Sequence, residues 1–199
     1  IRIIRETELD AEVVPNLMIG FGIDQVQAEY VAEIKLRNIN REYILKTDDS
    51  VLAPQFDKIL RENGIEAPIE RVEQVVGMMK MKKISFIKEL WPLCDFFFIT
   101  PTEYSMDDKF TRKNWKNGAA AEMREFKTLL EGLDDFSIES QRTAIDAWAE
   151  AGGHKPWNAW RVCLVAAGKG PDMYELAAFL GKEETLRRMD NALQALPEA

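Results

Sequence analysis

The sequence predicts an all-α fold, a bundle of about seven to ten short helices. Apolar residues recur at i, i+3, i+4 and i+7 along most of the chain, which is the spacing of a helix with one buried face. Aspartate, serine and proline precede many of these stretches, and glycine follows them, as expected at helix ends. Alternating strand patterns with turn dipeptides are nearly absent, and no repeat of fixed period occurs.

Three helical segments are predicted in the first half of the chain after residue 47. The segment 49–64 begins with capping residues, carries apolar residues at helical spacing and ends at an Asn-Gly pair. The next helix is expected to begin at Pro68, because proline fits the first turn of a helix. A third is expected from Ile84 to the aromatic residues 96–98, and Pro92 should kink or divide it.

The second half is predicted to start with a loop, TPTEYSMDDK, whose acidic residues suit the start of a helix. Helical periodicity and bounding glycines or prolines then mark five further segments. These segments are 119–133, 137–153, 155–170, 170–181 and 182–196.

Composition limits the class of protein. The 199 residues carry a net charge of −8, which argues against general DNA coating, although a local basic surface is compatible with it. No apolar run is long enough to span a membrane, and the start, IRIIRETELD, lacks the apolar core of a signal peptide. The chain also lacks an initiator methionine, so we expect it to be a fragment. Its expected location is the cytoplasm.

Residues that support catalysis are scarce. The one histidine, His154, lies in a glycine-rich turn and is expected to be exposed. Cys94 and Cys163 stand in apolar surroundings, which favours buried free thiols in a reducing compartment. Phosphate-binding glycine loops and CxxC motifs are absent. We therefore predict no catalytic residue, no metal site and no cofactor site, and the residues alone indicate a helical binding or structural module.

Two blocks carry a resemblance to a known family. SFIKELWPLCDFFF (85–98) resembles a helix that reads loosely R-x-K-T-L-K-E-L, and the segment 160–193 resembles a closing block with L-R-x-A-L-T-G, G-P and L-G-K-E. Both belong to the C-terminal region of bacterial glutamyl-tRNA synthetases, in the same order and at similar spacing. The resemblance implies an anticodon-binding helical bundle of the class I synthetase type over 48–199, with subdomains 48–135 and 136–199.

The basic stretch MKMKKIS (79–85) is similar to KMSKS, the lysine loop with which class I synthetases hold ATP. In the family that loop precedes the helical region, as does the HIGH motif, which this chain lacks. The resemblance instead assigns these lysines to tRNA, and Lys83 falls where the family commonly has an arginine directed at the anticodon. Lysine lacks the bidentate fork of arginine, and a solvated basic helix face is the alternative.

The resemblance also marks positions in the closing block. Arg161 matches its arginine and Lys182 the lysine of L-G-K-E, whereas Val165 replaces a threonine and Ala166 a glycine. The predicted tRNA-binding residues are Lys80, Lys82, Lys83, Lys88, Trp157, Arg161, Val165 and Lys182.

For several other side chains the sequence leaves two roles open. Trp91 and the phenylalanines 96–98 are expected in the core rather than as stacking platforms for bases. Trp157 and Trp160 fit either role. Arg187 and Arg188 fit RNA contacts or exposed ion pairs with the glutamates one turn away.

The resemblance further implies the partners. We expect this chain to recognise the anticodon of tRNA-Glu as part of a glutamate–tRNA ligase, an enzyme of protein synthesis. We also expect it to be a monomer. The parent enzyme would use ATP, magnesium and glutamate in a catalytic part that this chain lacks. A helical scaffold domain that does not bind nucleic acid is the alternative from a different class.

Residues 1–47 do not match the synthetase pattern. Asn38 stands where the family usually has tryptophan, and IRIIR followed by a Q-A … L-R pattern resembles the A subunit of type IIA DNA topoisomerases. We therefore expect a junction between two genes near 43–48, with the residues before it loosely packed or forming a separate helical hairpin. A DNA-binding topoisomerase fragment is a third hypothesis.

Overall fold

The computed structural model describes residues 3, 6–7, 10–32, 37–82, 84–116 and 118–198. Within these ranges it contains α-helices and short 3-10 turns and no strand, which confirms the all-α fold class. The twelve α-helices are α1 (Val13–Phe21), α2 (Gln25–Tyr30), α3 (Arg37–Lys46), α4 (Asp49–Glu62), α5 (Ile69–Met79), α6 (Trp91–Cys94), α7 (Lys109–Asn114), α8 (Ala119–Glu131), α9 (Ile138–Gly152), α10 (Trp157–Val165), α11 (Met173–Leu180) and α12 (Lys182–Ala195). The 3-10 turns are Asp10–Glu12, Ile87–Leu90 and Asp95–Phe97.

The chain divides into two units, Ile1–Leu93 and Cys94–Ala199. This division does not coincide with the boundaries that the sequence suggested, after residue 47 and after residue 135. Residues on both sides of position 47 share the first unit, because α1, α2 and α3 make contacts with the segment 82–89.

Several predicted helix ends agree with the structure to within one or two residues, although the cap expected at Asp49 or Ser50 falls at Asp48. Asp48 and Pro68 immediately precede α4 and α5, and Gly132 follows α8. The segment 84–98 is divided into a 3-10 turn, α6 and another 3-10 turn. Helix α7 was not predicted, because its six residues are too few to establish a periodic pattern.

The core of the first unit forms where α4 packs against α5. Leu52, Phe56 and Leu60 of α4 are at most 1% exposed, as are Val72 and Val76 of α5. Burial of each of these side chains contributes roughly 1.5–3 kcal/mol. The helical spacing of apolar residues in the sequence therefore corresponds to the buried face of each helix.

The first helices add a second apolar cluster to the same unit. Val13 and Leu17 of α1 and Ala28 of α2 pack with Phe86, which follows the basic stretch. Arg37 of α3 donates to Glu89 at 2.9 Å. These contacts join α1–α3 to residues 82–89. The proposed origin of residues 1–47 from a topoisomerase gene stays a prediction.

The second unit is built around α12, which packs against α8, α10 and α11. Met123, Phe126, Trp160, Leu176 and Met189 are fully buried there. The rings of Phe126 and Trp160 meet edge to face with their centroids 5.0 Å apart, a favoured aromatic geometry. Trp160 is therefore a core residue. Of the two roles that the sequence left open for it, core packing and base stacking, the structure shows core packing.

Arg188 of α12 is a buried cation, only 2% exposed, and not the exposed ion-pair partner that the sequence suggested. Its Nε donates to Glu184 Oε1 at 2.7 Å, and its Nη1 donates to the carbonyls of Phe96 and Leu164 at 2.8 Å each. A guanidinium in such a position is tolerated because it is paired with a carboxylate and bonded to two carbonyls. Arg188 therefore connects α12, the end of α10 and the turn Asp95–Phe97.

The Glu184 carboxylate accepts further hydrogen bonds besides the one from Arg188. Thr100 Oγ1 donates to it at 2.6 Å, and Arg187 Nε donates at 2.8 Å. Burial alone would raise the pKa of Glu184, but the hydrogen bonds from Thr100, Arg188 and Arg187 outweigh it, so that its pKa is lowered. The folded protein therefore favours the ionised carboxylate.

Both cysteines are free and buried, as predicted. Burial raises the pKa of the Cys94 thiol and of the Cys163 thiol, which keeps both in the unreactive protonated form. In the part of the chain that the structure describes, no cluster of three or more His, Cys, Asp or Glu residues is placed to hold a metal ion. Nor does any helix among those residues have the length and apolar character needed to cross a membrane.

Removing the buried guanidinium should destabilise the second unit strongly. We expect Arg188→Leu to lower the free energy of unfolding by about 3–5 kcal/mol, because the half-buried Glu184 carboxylate and the carbonyls of Phe96 and Leu164 lose a buried donor. Arg187→Leu, on the same turn but exposed, should cost less than about 1 kcal/mol. Urea denaturation measures both values, and equal small losses would contradict the role of Arg188.

The Glu184 carboxylate should make stability depend on acid pH. Because its folded pKa is lowered, its contribution is complete above the unfolded pKa of about 4.5 and is lost as the pH falls through the folded value. We expect Glu184→Gln to be less stable than the unaltered protein at pH 7, with a difference that shrinks from about pH 4.5 downward. Urea midpoints between pH 7 and pH 3 test this, and a difference independent of pH would refute it.

Candidate nucleic-acid interface

Lys80 of the basic stretch makes internal contacts within the first unit. It follows α5, and its Nζ lies 2.7 Å from Asp49 Oδ1 at the start of α4 and donates to the Thr47 carbonyl at 3.1 Å. Gly77 leaves room for this pair, since a Cβ there would lie 2.7 Å from Asp49 Oδ2. Lys80 thus ties the end of α5 to the start of α4.

The other predicted lysines of the first unit are placed differently. Lys82 and Lys88 are exposed. The backbone carbonyl of Lys82 accepts a hydrogen bond from Arg41, and the Lys88 ammonium lies 3.4 Å from the Thr7 carbonyl. Lys83 lies outside the described residues, so its assignment to the anticodon stays a prediction.

Arg161 of α10 hydrogen-bonds to the backbone of the turn that connects α10 to α11. Its Nη1 and Nη2 donate to the carbonyls of Lys169 and Pro171, each at 2.9 Å. Burial lowers the pKa of Arg161, and Asp172 opposes that effect. The planar guanidinium fork suits two acceptors two residues apart, which explains arginine at this position by the fold itself.

Lys182 makes a comparable internal contact at the start of α12. Its Nζ donates to the carbonyls of Glu131 and Leu133, at 2.6 and 2.7 Å. Both carbonyls lie at the C-terminal end of α8, where backbone acceptors lack helical partners and a cation is favourable. The lysine that the closing block suggested for tRNA therefore caps a helix in this structure.

Val165 ends α10 and is 5% exposed, so its side chain belongs to the core. The next residue, Ala166, has a φ of +56°. A residue with a Cβ is strained there by roughly 1–2 kcal/mol, and glycine is not. The glycine expected at this position in the resembling family therefore has a conformational explanation.

Trp157, Tyr174 and Arg142 form an aromatic cluster on the second unit. Trp157, half-buried at the start of α10, meets the Tyr174 ring edge to face with centroids 5.4 Å apart. The exposed Arg142 of α9 lies over the same ring at 4.7 Å, within cation–π range. Tyr174 donates to Asp146 at 2.5 Å, which fixes the ring that supports the other two.

Sequence reasoning named only Trp157 of this aromatic cluster. Arg142 and Tyr174 come from other helices, and no spacing in the sequence connects three residues on α9, α10 and α11. The exposed surfaces of Trp157 and Arg142 present two planar groups of the kind on which nucleic-acid bases stack.

A second surface was also missed. Lys109, Arg112 and Lys113 of α7 are all exposed and form what we call the α7 basic face. Their i, i+3, i+4 spacing places them on one side of the helix and was visible in the sequence. It went unnoticed because α7 itself was not predicted.

His154 is half-buried and not the exposed turn residue that its sequence context suggested. Its ring stacks on Trp148 with centroids 4.0 Å apart, and its Nδ1 lies 3.3 Å from Glu122 Oε1. These contacts tie the turn after α9 to α8, so the histidine has a structural explanation.

A sequence profile of the anticodon binding domain matches residues 51–193, most of the chain. The chain belongs to the anticodon binding domain family. The domain extends over both units, from α4 to α12.

Curated relatives of the domain are glutamate–tRNA ligases. Those of Phocaeicola vulgatus and Bacteroides fragilis are each 48% identical to it over 160 residues, which cover 79% of this chain and 31% of theirs. A crystal structure of a glutamate tRNA ligase from Elizabethkingia meningosepticum, in complex with its amino acid, superposes with a TM-score of 0.74 at 30% identity. That match covers 81% of this chain and 32% of the other.

The domain therefore spans about a third of the length of these relatives. The matched share of this chain is larger than residues 48–199 alone, so the similarity begins before Asp48, the start that the sequence resemblance indicated. The structural match confirms the expected bundle of the synthetase anticodon-binding type.

Removing the Arg161 guanidinium should lower the stability of the fold more than it lowers RNA binding. We expect Arg161→Met to lower the free energy of unfolding of the domain by about 1–3 kcal/mol, because two partly buried carbonyls lose their donor. Arg142→Met, which removes an exposed guanidinium from α9, is the matched control and should cost less than about 1 kcal/mol. Unchanged stability in Arg161→Met, combined with a loss of RNA binding, would place Arg161 at the RNA instead.

Proposed function

We propose that this domain binds the anticodon arm of tRNA-Glu as the non-catalytic part of a glutamate–tRNA ligase. The observation that carries the proposal is the match of residues 51–193 to the anticodon binding domain family. The similarity of most of the chain to glutamate–tRNA ligases supports glutamate as the amino acid of the parent enzyme.

The aromatic cluster supports a physical mode of recognition. Anticodon bases are single-stranded, so they can leave the stack, lie on aromatic or guanidinium planes and present their edges to hydrogen-bonding groups. Trp157 and Arg142 supply such planes, and the buried Tyr174 holds them in place. Stacking of one base on such a plane contributes about 1–3 kcal/mol.

The remaining chemistry of the parent enzyme belongs to parts outside this domain. Activation of glutamate would require ATP and magnesium at a catalytic site that the domain does not supply. We further propose that the domain acts as a monomer in the cytoplasm, where its two buried thiols stay reduced. Light scattering of the purified chain measures its oligomeric state.

A gel-shift titration of the full 199-residue chain tests the proposal. We expect tighter binding to tRNA-Glu than to a tRNA with an unrelated anticodon, and weaker binding when the anticodon of tRNA-Glu is replaced. The reason is that base contacts give selectivity, whereas phosphate contacts are shared by all tRNAs. Equal binding of all three RNAs at moderate salt would reject anticodon recognition, and no binding of any RNA would favour a protein-interaction domain.

The same titration tests the aromatic cluster. Trp157→Leu keeps apolar volume but removes the aromatic plane, so we expect affinity for tRNA-Glu to fall by about 5- to 150-fold, the loss of one stacked base. Trp148→Leu is the control, since Trp148 is also half-buried in the second unit but is covered by His154. Equal affinities for the two variants would remove Trp157 from the interface.

A further inference from the structure

The α7 basic face lies in the most basic stretch of an acidic chain. Residues 109–116, KFTRKNWK, contain four cations and no acidic residue, whereas the whole chain has a net charge of −8. All four cations, Lys109, Arg112, Lys113 and Lys116, are exposed. The family match alone does not single them out, and neither did the sequence motifs.

The inward side of this stretch is firmly anchored. Phe110 packs so closely under the turn after α10 that a Cβ at Gly168 would lie 2.6 Å from its Cδ2. Trp115 is fully buried and donates from Nε1 to the Pro197 carbonyl at 3.0 Å. Asp108 caps the helix by accepting from the Thr111 N–H at 2.8 Å. The cations therefore stand on a fixed support.

The α7 basic face is also unneutralised. Within the described residues, none of its three cations lies within 4.0 Å of a carboxylate, whereas Lys80 and Arg188 do. Like charges at i, i+3 and i, i+4 repel each other and destabilise a helix. Arg112 and Lys113 lie in the last turn of α7, where cations suit the helix dipole, but Lys109 at its first residue does not. The dipole therefore explains two of the three cations, and an anionic ligand explains all three.

The chemistry of the surface indicates which anion. Of the two aromatic residues in the stretch, Trp115 is fully buried and Phe110 is half-buried against the turn at Gly168, so neither ring is freely exposed for base stacking or as an apolar anchor for a protein partner. It offers only closely spaced positive charge on a rigid helix. Such a surface matches the phosphates of a nucleic-acid backbone, whose counterions are released on binding.

We propose that the α7 basic face binds phosphates of the tRNA backbone and supplies affinity that does not depend on the anticodon sequence. The inference rests on the proposed function, because it presupposes that the domain binds tRNA. It assigns the two surfaces of the second unit different tasks: the aromatic cluster contacts bases, and the α7 basic face contacts phosphates.

The test compares two triple variants of the full chain. One carries Lys109→Gln, Arg112→Gln and Lys113→Gln. The control carries Lys46→Gln, Lys58→Gln and Arg61→Gln, which remove the same charge from exposed cations that already pair with a carboxylate one turn away. Binding to tRNA-Glu and to a tRNA with an unrelated anticodon is measured at several salt concentrations.

For the α7 variant we expect about tenfold or greater loss of affinity for both tRNAs at low salt, with their ratio unchanged. The slope of log K against log salt should decrease in magnitude by about two to three, because three phosphate contacts are lost. The control should retain both the affinity and the slope. The melting temperature of the α7 variant should stay close to that of the unaltered chain, because the repulsion removed and the helix-dipole interactions lost are both small and opposite in sign.

Several results would overturn the inference. If the α7 variant keeps the affinity and salt slope of an unaltered chain that does bind tRNA, the inference fails while the proposed function stands. The same conclusion follows if the control loses as much affinity, or if the α7 variant loses binding only together with its fold. If the unaltered chain binds no RNA, the proposed function fails and the inference fails with it.

Discussion

The buried guanidinium of Arg188 is the constraint on which the second unit depends. A charge removed from water must be paired, and here its partners come from three places along the chain: Glu184 on the same helix, Leu164 at the end of α10 and Phe96 in the turn Asp95–Phe97. Because those bonds fix α10 against α12, they also fix Trp157 at the other end of α10. The aromatic cluster, the proposed surface for bases, is thus positioned by a cation that is only 2% exposed.

Two groups of cations in this protein have different tasks. Lys80, Arg161 and Lys182 bond to carbonyls at helix ends or turns, where the backbone lacks partners of its own. The α7 basic face makes no such bond within the described residues and remains hydrated. The α7 basic face therefore forms a locally positive surface on a chain whose net charge is −8.

The second unit therefore combines two kinds of surface on one helical scaffold. The aromatic cluster is supported from beneath by Tyr174, which Asp146 holds in place. The α7 basic face is supported by Phe110 and Trp115, which are packed inward. In both cases a buried ring provides the rigidity, and flexible or planar groups above it meet the solvent. Rigid support reduces the ordering cost that a long side chain pays when it binds.

The sequence by itself determined the all-α class, the ends of α4, α5, α11 and α12, the buried thiols and the family, because periodicity, capping and ordered motifs are local properties of the chain. It did not determine which cations face solvent: Arg188, assigned to the surface from its i, i+4 glutamate, is buried through a bond to a carbonyl 92 positions away. Such partners exist only once distant helices meet. Burial, the aromatic cluster and the roles of Arg161 and Lys182 were therefore decided by the tertiary structure.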